Sequence, residues 1–278
     1  MTDPNPATGR GRAPAPWRTA LITGASAGIG REMARQLAAQ GTHIVAVARD
    51  KARLEDLARE VAEAGHGVEV EVLPADLTDP AQLAAVESRL AETGESGGRP
   101  IDLLVNNAGF GTYGSFVELD RDGEEREIRL NVVAVVRLTH AALGPMIARG
   151  RGTVINVSSV AGLQSRPGNA TYGATKAFVS LFSEAIHAEL AGTGVTLTVV
   201  HPGFTHTEFQ QRAGIEGRRI PGPLWQTAEE CVRETLAAAR AGKPWVVTGW
   251  PNKAVAAAIP LAPRGLRRRV AALVSSRL

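Results

Sequence analysis

Cysteine is nearly absent. The 278 residues hold one, Cys231, so no disulfide forms within the chain and a stapled secreted scaffold is excluded. Its helical surroundings mark Cys231 as a buried packing residue. Aromatic residues are scarce, 4% of the chain with only two tyrosines, Tyr113 and Tyr172. Excess charge is also missing. The net charge of +3 is too small to imply a nucleic-acid partner. No uninterrupted apolar run approaches the ~18 residues that span a bilayer, and the most apolar stretch near the end, Ala254 to Ala262, contains Pro260. Residues 1–17 lack the apolar core of a signal peptide, and their Pro, Gly and Arg content reads as a flexible tail. A reducing, cytoplasmic setting is expected.

What is present is a globular composition, 44% hydrophobic and 21% charged. Seven short runs rich in Val, Ile and Leu read as strands: Thr19–Thr23, His43–Ala48, Val68–Pro74, Ile101–Asn106, Thr153–Val157, Val195–His201 and Trp245–Thr248. They are apolar on both faces, as strands of a parallel sheet covered on both sides should be. Helix-length segments lie between them. Ile29–Gln40 stops at Gly41 and Lys51–Ala64 at Gly65. Asp79-Pro80 reads as an N-cap with proline at the first helical position. Thr227 to Glu230 has the form of a capping box. The alternation predicts a doubly wound parallel α/β sheet of about seven strands, helices on both faces, in one domain over 18–251. Within it, 204–226 is expected to be a loop that closes over substrate. Residues 252–278 are expected to form a helical tail. With Arg264, Arg267, Arg268 and Arg269 it could touch an anionic membrane surface, but a tail docked on the body or on another subunit is the preferred reading.

Thr23-Gly-Ala-Ser-Ala-Gly-Ile-Gly30 follows the first strand and opens the first helix. Gly24 permits the tight turn, Gly28 lets the backbone approach a diphosphate, and Gly30 allows close helix packing. The helix N-terminus then offers free N–H groups to an anion. This is the dinucleotide-binding arrangement of a Rossmann-type sheet. At the end of the second strand, where a carboxylate would receive the ribose 2′-hydroxyl of NAD(H), the chain reads Val47-Ala-Arg-Asp50. Arg49 suits a 2′-phosphate instead, and Asp50 looks like a helix cap. NADP(H) is therefore expected over NAD(H).

From Thr19 to about Thr207 the sequence resembles the short-chain dehydrogenase/reductase family in its compact one-domain branch. The glycine turn matches TGxxxGxG, Asn106-Asn-Ala-Gly109 matches NNAG, and Tyr172-Gly-Ala-Thr-Lys176 matches YxxxK. Ser158-Ser159 matches the serine pair after the fifth strand, and His201-Pro-Gly203 with Thr207 resembles PGxxxT. The resemblance implies cofactor contacts from Gly24, Ser26, Ala27, Gly28, Ile29 and Gly30. It adds Asp76 and Leu77 at the adenine, then Asn107, Ala108, Gly109, Pro202, Gly203, Thr205 and Thr207 toward the nicotinamide, with Phe204 between the last of these. It also implies four catalytic residues. Tyr172 is acid in reduction and base in oxidation. Lys176 tunes Tyr172 and holds the nicotinamide ribose. Ser159, thirteen residues before the tyrosine, donates to the substrate oxygen, and Ser158 is a structural neighbour. Asn131 supports a proton path to Lys176.

The chemistry has its own logic. Tyr172 and Lys176 are four apart and share a helix face. A free phenol titrates near ~10. An adjacent ammonium together with an oxidised nicotinamide favours phenolate, and a three-unit drop needs roughly 4 kcal/mol. The expected activity is hydride transfer between NADP(H) and a fairly apolar ketone or alcohol. Phe110, Tyr113 and Phe116, with Phe204, Phe209, Ile215, Leu224 and Trp225 from the long loop, are the candidate pocket walls, and Ser159 the polar substrate contact. His201 and His206 are expected at the cofactor edge without a metal, since no ligand cluster accompanies them. A non-catalytic dinucleotide sensor or scaffold is the alternative from another class, but it has no use for a proton relay. A sugar-nucleotide epimerase or dehydratase is disfavoured by the glycine spacing and by the lack of a large substrate domain. Pairing of the helices near Asn131 and Ala170 across a two-fold is expected to give a homodimer or homotetramer.

Overall fold

In a computed structural model, residues 17–94, 97–209, 222 and 225–258 are described. The tail 1–16, the interior of the long loop (with Ile215 and Leu224) and the arginine-rich segment lie outside the described residues. Seven strands form one all-parallel sheet: β1 Thr19–Thr23, β2 His43–Ala48, β3 Val70–Pro74, β4 Leu103–Asn106, β5 Gly152–Val157, β6 Val195–His201 and β9 Trp245–Val247. Their order across the sheet is β3-β2-β1-β4-β5-β6-β9. The chain builds outward from β1 to β3, then returns to β4 on the other side of β1. That reversal opens a crevice at the C-terminal strand edge.

The five inner strands were legible because both faces are buried. In β1, Ala20 and Ile22 face one core layer and Leu21 the other, and all three have no exposed surface. On the first face lie α1 Gly28–Ala38, α2 Lys51–Glu63 and α7 Ala228–Arg240, through Met33, Leu37, Leu54, Leu57 and Leu236. On the second lie α3 Pro80–Ala91 and α5 Val135–Ala148, through Leu83, Val86, Leu138 and Met146. The expected caps form. Asp50 accepts from the Arg53 N–H, Asp79 from Ala81 and Gln82, and Thr227 and Glu230 make the reciprocal box.

Some elements differ from the sequence reading. The third strand starts at Val70, two residues late, after turn glycines 65 and 67 with φ of 69° and 68°. The fourth helix is not regular throughout. α4 Arg121–Ile128 passes through a π turn, Arg129–Ala134, into α5. The combined run, Arg121–Ala148, is long and apolar enough to cross a membrane by length and composition. Here its apolar positions, Val135, Leu138, Ala142 and Met146, are buried in the core. The ends of the long loop are not loop. β7 Phe204–Thr205 and β8 Trp225–Gln226 pair in parallel as a separate two-stranded sheet. The Gln226 amide holds them, donating to Thr205 Oγ1 at 3.1 Å and Thr248 Oγ1 at 2.8 Å. α8, Trp250–Ala258, runs across the expected tail boundary at 252, and Asn252 is buried.

Candidate active site

Parallel strands bring six strand ends to one edge, and the residues that follow them line a cavity of about 810 Å³. After β1, Gly24 (φ 68°) and Gly28 (φ 54°) hold left-handed conformations that a side chain would strain. A Cβ on Gly28 would stand 3.2 Å from Thr207. Ala27 precedes α1 without a side-chain cap, so the first N–H groups of the helix remain open toward the cavity. Thr23 locks the turn to the β4 loop, its Oγ1 accepting from Asn107 N and Ala108 N, both at 2.9 Å. Gly30 does not line the cavity. A Cβ there would collide with Gly24 O and the Asn107 amide, which is the close packing that spacing predicts. The cradle thus fits a dinucleotide diphosphate, with open helix N–H groups and glycines where the chain must come close.

At the β2 end, Arg49 is exposed, with Nη1 3.9 Å from Asp76 Oδ2. Asp76 and Leu77 line the wall, with Asp76 Oδ1 accepting from Thr78 N and Oγ1. Sequence reasoning missed Arg53, whose guanidinium grips Glu208 at 2.8 and 3.0 Å across the mouth. No motif predicts this pair, because it joins α2 to the stretch after β7.

Asn107, Ala108, Gly109, Pro202, Gly203, Thr205 and Thr207 continue the wall toward Tyr172. Ser159, Tyr172 and Lys176 lie on it together. Ser159 acts on the Tyr172 phenol, favouring its ionised form, and its hydroxyl accepts from Ala161 N at 3.1 Å. Lys176 is buried, with Nζ donating to Val157 O at 2.9 Å and standing 5.7 Å from the Tyr172 ring centroid. Asn131, fully buried in the π turn, donates to Phe110 O at 2.9 Å and Thr175 Oγ1 at 3.1 Å. It stands behind Gly109: a Cβ there would meet Asn131 Oδ1 at 2.9 Å and Lys176 Nζ at 3.3 Å. A π turn shifts side-chain direction locally, and here it carries the asparagine.

The protein's own groups do not lower the phenol. Burial holds Tyr172 well above the ordinary phenol value, and only Ser159 opposes it. Lys176 is itself lowered to about 8 by burial, with Glu127 acting the other way. The lowering expected above needs the positive charge of an oxidised nicotinamide beside the lysine. The lysine alone leaves the phenol neutral.

Of the expected pocket walls, Phe110, Tyr113, Phe204 and Phe209 face the cavity, and Phe209 packs on Tyr172 with ring centroids 5.6 Å apart. Trp225 does not line it. It stacks on His206 and packs at a tilt against Phe204 instead. Phe116 is 62% exposed and off the wall. His201 is not at the edge. It is fully buried and lies at 2.9 Å from Ser180 Oγ. Ser180 meets Ser158, whose hydroxyl donates to Lys176 O at 2.7 Å. Ser158 is thus structural, and burial lowers His201 to about 4. Among the described residues no His, Cys, Asp and Glu cluster could hold a metal.

The model of the short chain dehydrogenase family matches residues 18–216. This chain belongs to that family. It is similar to a short-chain dehydrogenase from Sphingobium yanoikuyae solved in complex with NADPH: 40% identity, TM-score 0.78, covering 90% of this chain and 94% of that one. The bulky-bulky ketone specific alcohol dehydrogenase from Comamonas testosteroni is 35% identical with a TM-score of 0.72, covering 83% and 85%. An uncharacterized oxidoreductase of Myxococcus xanthus is 39% identical over 193 residues, 69% of this chain and 74% of that protein. The short-chain dehydrogenase assignment makes the chain an oxidoreductase with a Rossmann-type fold. Beyond the family motifs, the cavity wall also carries Arg166 and Asn169, which no sequence pattern singled out.

Proposed function

We propose that this chain is an NADP(H)-dependent reductase of ketones, or dehydrogenase of the corresponding alcohols. The observation that carries the reading is the meeting of Ser159 and the Tyr172 phenol, backed by Lys176 and Asn131, on the cavity that the glycine turn opens. Gly24, Ser26, Ala27, Gly28 and Ile29 would hold the diphosphate, and Asp76 and Leu77 the adenine. Arg49, with no carboxylate at the strand end to receive a ribose hydroxyl, would take the 2′-phosphate. The NADPH bound to the Sphingobium relative agrees with that preference. Asn107, Ala108, Gly109, Pro202, Gly203, Thr205 and Thr207 would line the nicotinamide end.

The bound dinucleotide supplies the hydride. The protein's part is the proton. A neutral Tyr172 is the form that donates to a carbonyl oxygen, and Ser159 gives that oxygen a second hydrogen bond. Lys176, buried beside the ring, supplies positive charge as the phenol loses its proton. Asn131 fixes the backbone at Phe110 next to the reacting centre. Phe110, Phe204 and Phe209 make the nearby wall apolar, suited to the carbon frame of a ketone and to excluding water. The working form is read as a cytoplasmic homodimer or homotetramer.

Tyr172→Phe should lower NADPH-dependent ketone reduction about a thousand-fold and leave NADPH affinity within about three-fold. Substantial residual turnover would remove the tyrosine from the chemistry. Arg49→Ala should weaken NADPH at least about ten-fold more than NADH; equal losses would take the 2′-phosphate away from Arg49.

A further inference from the structure

The apolar wall covers only part of the substrate end. Between Ser159 and Tyr172 the chain carries Arg166 and Asn169, and both face the cavity. Their loop is tied to the one bearing Tyr113: Gly114 N donates to Gly168 O at 3.0 Å, and a Cβ on Gly168 would lie 3.3 Å from the Tyr113 ring. The Tyr113 loop in turn packs on Tyr172, since a Cβ on Gly111 would come within 2.7 Å of its Cδ2. Arg166 therefore sits at the proton-donor end, across the cavity from Arg49 and the glycine turn.

The guanidinium is half-buried and has no carboxylate partner among the described residues. Burial lowers it, and only Tyr113 acts the other way. The carboxylates on the cavity wall are Asp50, Asp76 and Glu208. Each belongs to the adenosine side and is engaged: Asp50 caps α2, Asp76 holds Thr78, and Glu208 holds Arg53. Glu124 and Glu127 lie behind the wall, where Thr112 donates to both and Thr171 to Glu124. Asn169 precedes α6 (Ala170–Glu189) without capping it, and its Oδ1 is buried with no hydrogen-bond partner. A half-buried cation and an idle amide at one end of a cavity are costly without a ligand that satisfies them.

We propose that the substrate is an oxo acid or its hydroxy acid, with a carboxylate held by Arg166 and Asn169 while the carbonyl or alcohol oxygen lies at Ser159 and Tyr172. A guanidinium accepts a carboxylate through two parallel N–H donors, and the Asn169 amide, turned by half a rotation, offers a further donor. The aromatic side chains enclose the carbon frame between the two ends. The proposal rests on the oxidoreductase reading for its chemistry and on Arg166 for its selectivity.

The test uses the NADPH-loaded enzyme and straight-chain oxo acids of graded length, each beside its methyl ester. Both turnover and equilibrium binding are measured. The wild type should favour the acid over its ester for at least one length. Arg166→Gln should cut kcat/KM for that acid at least about ten-fold, mainly through KM. It should change the ester less than about three-fold, and Arg166→Lys should recover part of the loss. Preference for esters at every length, or equal losses on acid and ester, overturns the proposal. Arg166-dependent binding of the acid without any turnover upholds the anion site and overturns the redox reading instead.

Discussion

Glu127 has no exposed surface, yet it carries a carboxyl. Its Oε2 accepts from Thr112 N and Oγ1, both at 2.9 Å, while Oε1 has no partner. Burial raises it from 4.5 to about 7, assisted by Glu124 and opposed by Thr112 and Lys176. The folded pKa thus lies above the unfolded one. Its contribution to stability is complete below about pH 4.5 and is lost as pH climbs through 7. Glu127→Gln should therefore stabilise the fold by about 2–3 kcal/mol at pH 8, with the gap closing near pH 4 in urea unfolding. Equal stability at pH 8 would mean that Lys176 fully compensates the ionised form. This group could not be read from the sequence. It stands among charged neighbours on a helix, and only packing decides that it faces inward. The opposite holds for Tyr172, Lys176 and Ser159, whose types and spacing are the motif itself. Arg166 was silent for a third reason: what distinguishes it is the lack of a carboxylate partner among the described residues, and an absence has no local pattern.

Among the elements, strands were legible to within two residues because the inner five, buried on both faces, are filled mostly with Val, Ile, Leu and Ala. The π turn at Arg129–Ala134 was not, since its residues, RLNVVA, include no Gly or Pro to mark a break in the helix. Nor was the pairing of β7 with β8, two residues each, which depends on one buried glutamine amide. α8 is the third case. Asn252 donates to Thr248 O at 3.2 Å and seats against Gly203, where an added Cβ would overlap its amide. The helix therefore braces the Pro202-Gly203 turn that lines the cavity. Gly203→Ala alone should weaken dinucleotide binding and lower the melting temperature. Paired with Asn252→Ala, the same change should recover both by at least half, a coupling a double-mutant cycle measures. Additive losses would show that the turn is set without the helix.

Across the whole molecule, apolar side chains remain uncovered on the outer helices. On α6, Leu181 is 73% exposed, and Phe178 beside it stacks on Phe182 with centroids 5.8 Å apart. Val133 and Ile147, from the neighbouring helical run, are also exposed. Faces of this kind favour burial against a second copy, in line with the proposed oligomer. Leu181→Glu should shift the sedimenting species toward a single chain without altering the fold seen by circular dichroism. An unchanged species would move the interface elsewhere.

Because every strand runs the same way, all the working residues crowd one rim of the sheet, and the opposite rim is made of connections alone. Trp17, the turns at Gly65, Gly150 and Gly194, and Gly242 before β9 all lie where strands begin. A tether, fused partner or bead attached along that lower rim would hold the molecule mouth outward, its reaction chamber open to the surrounding liquid.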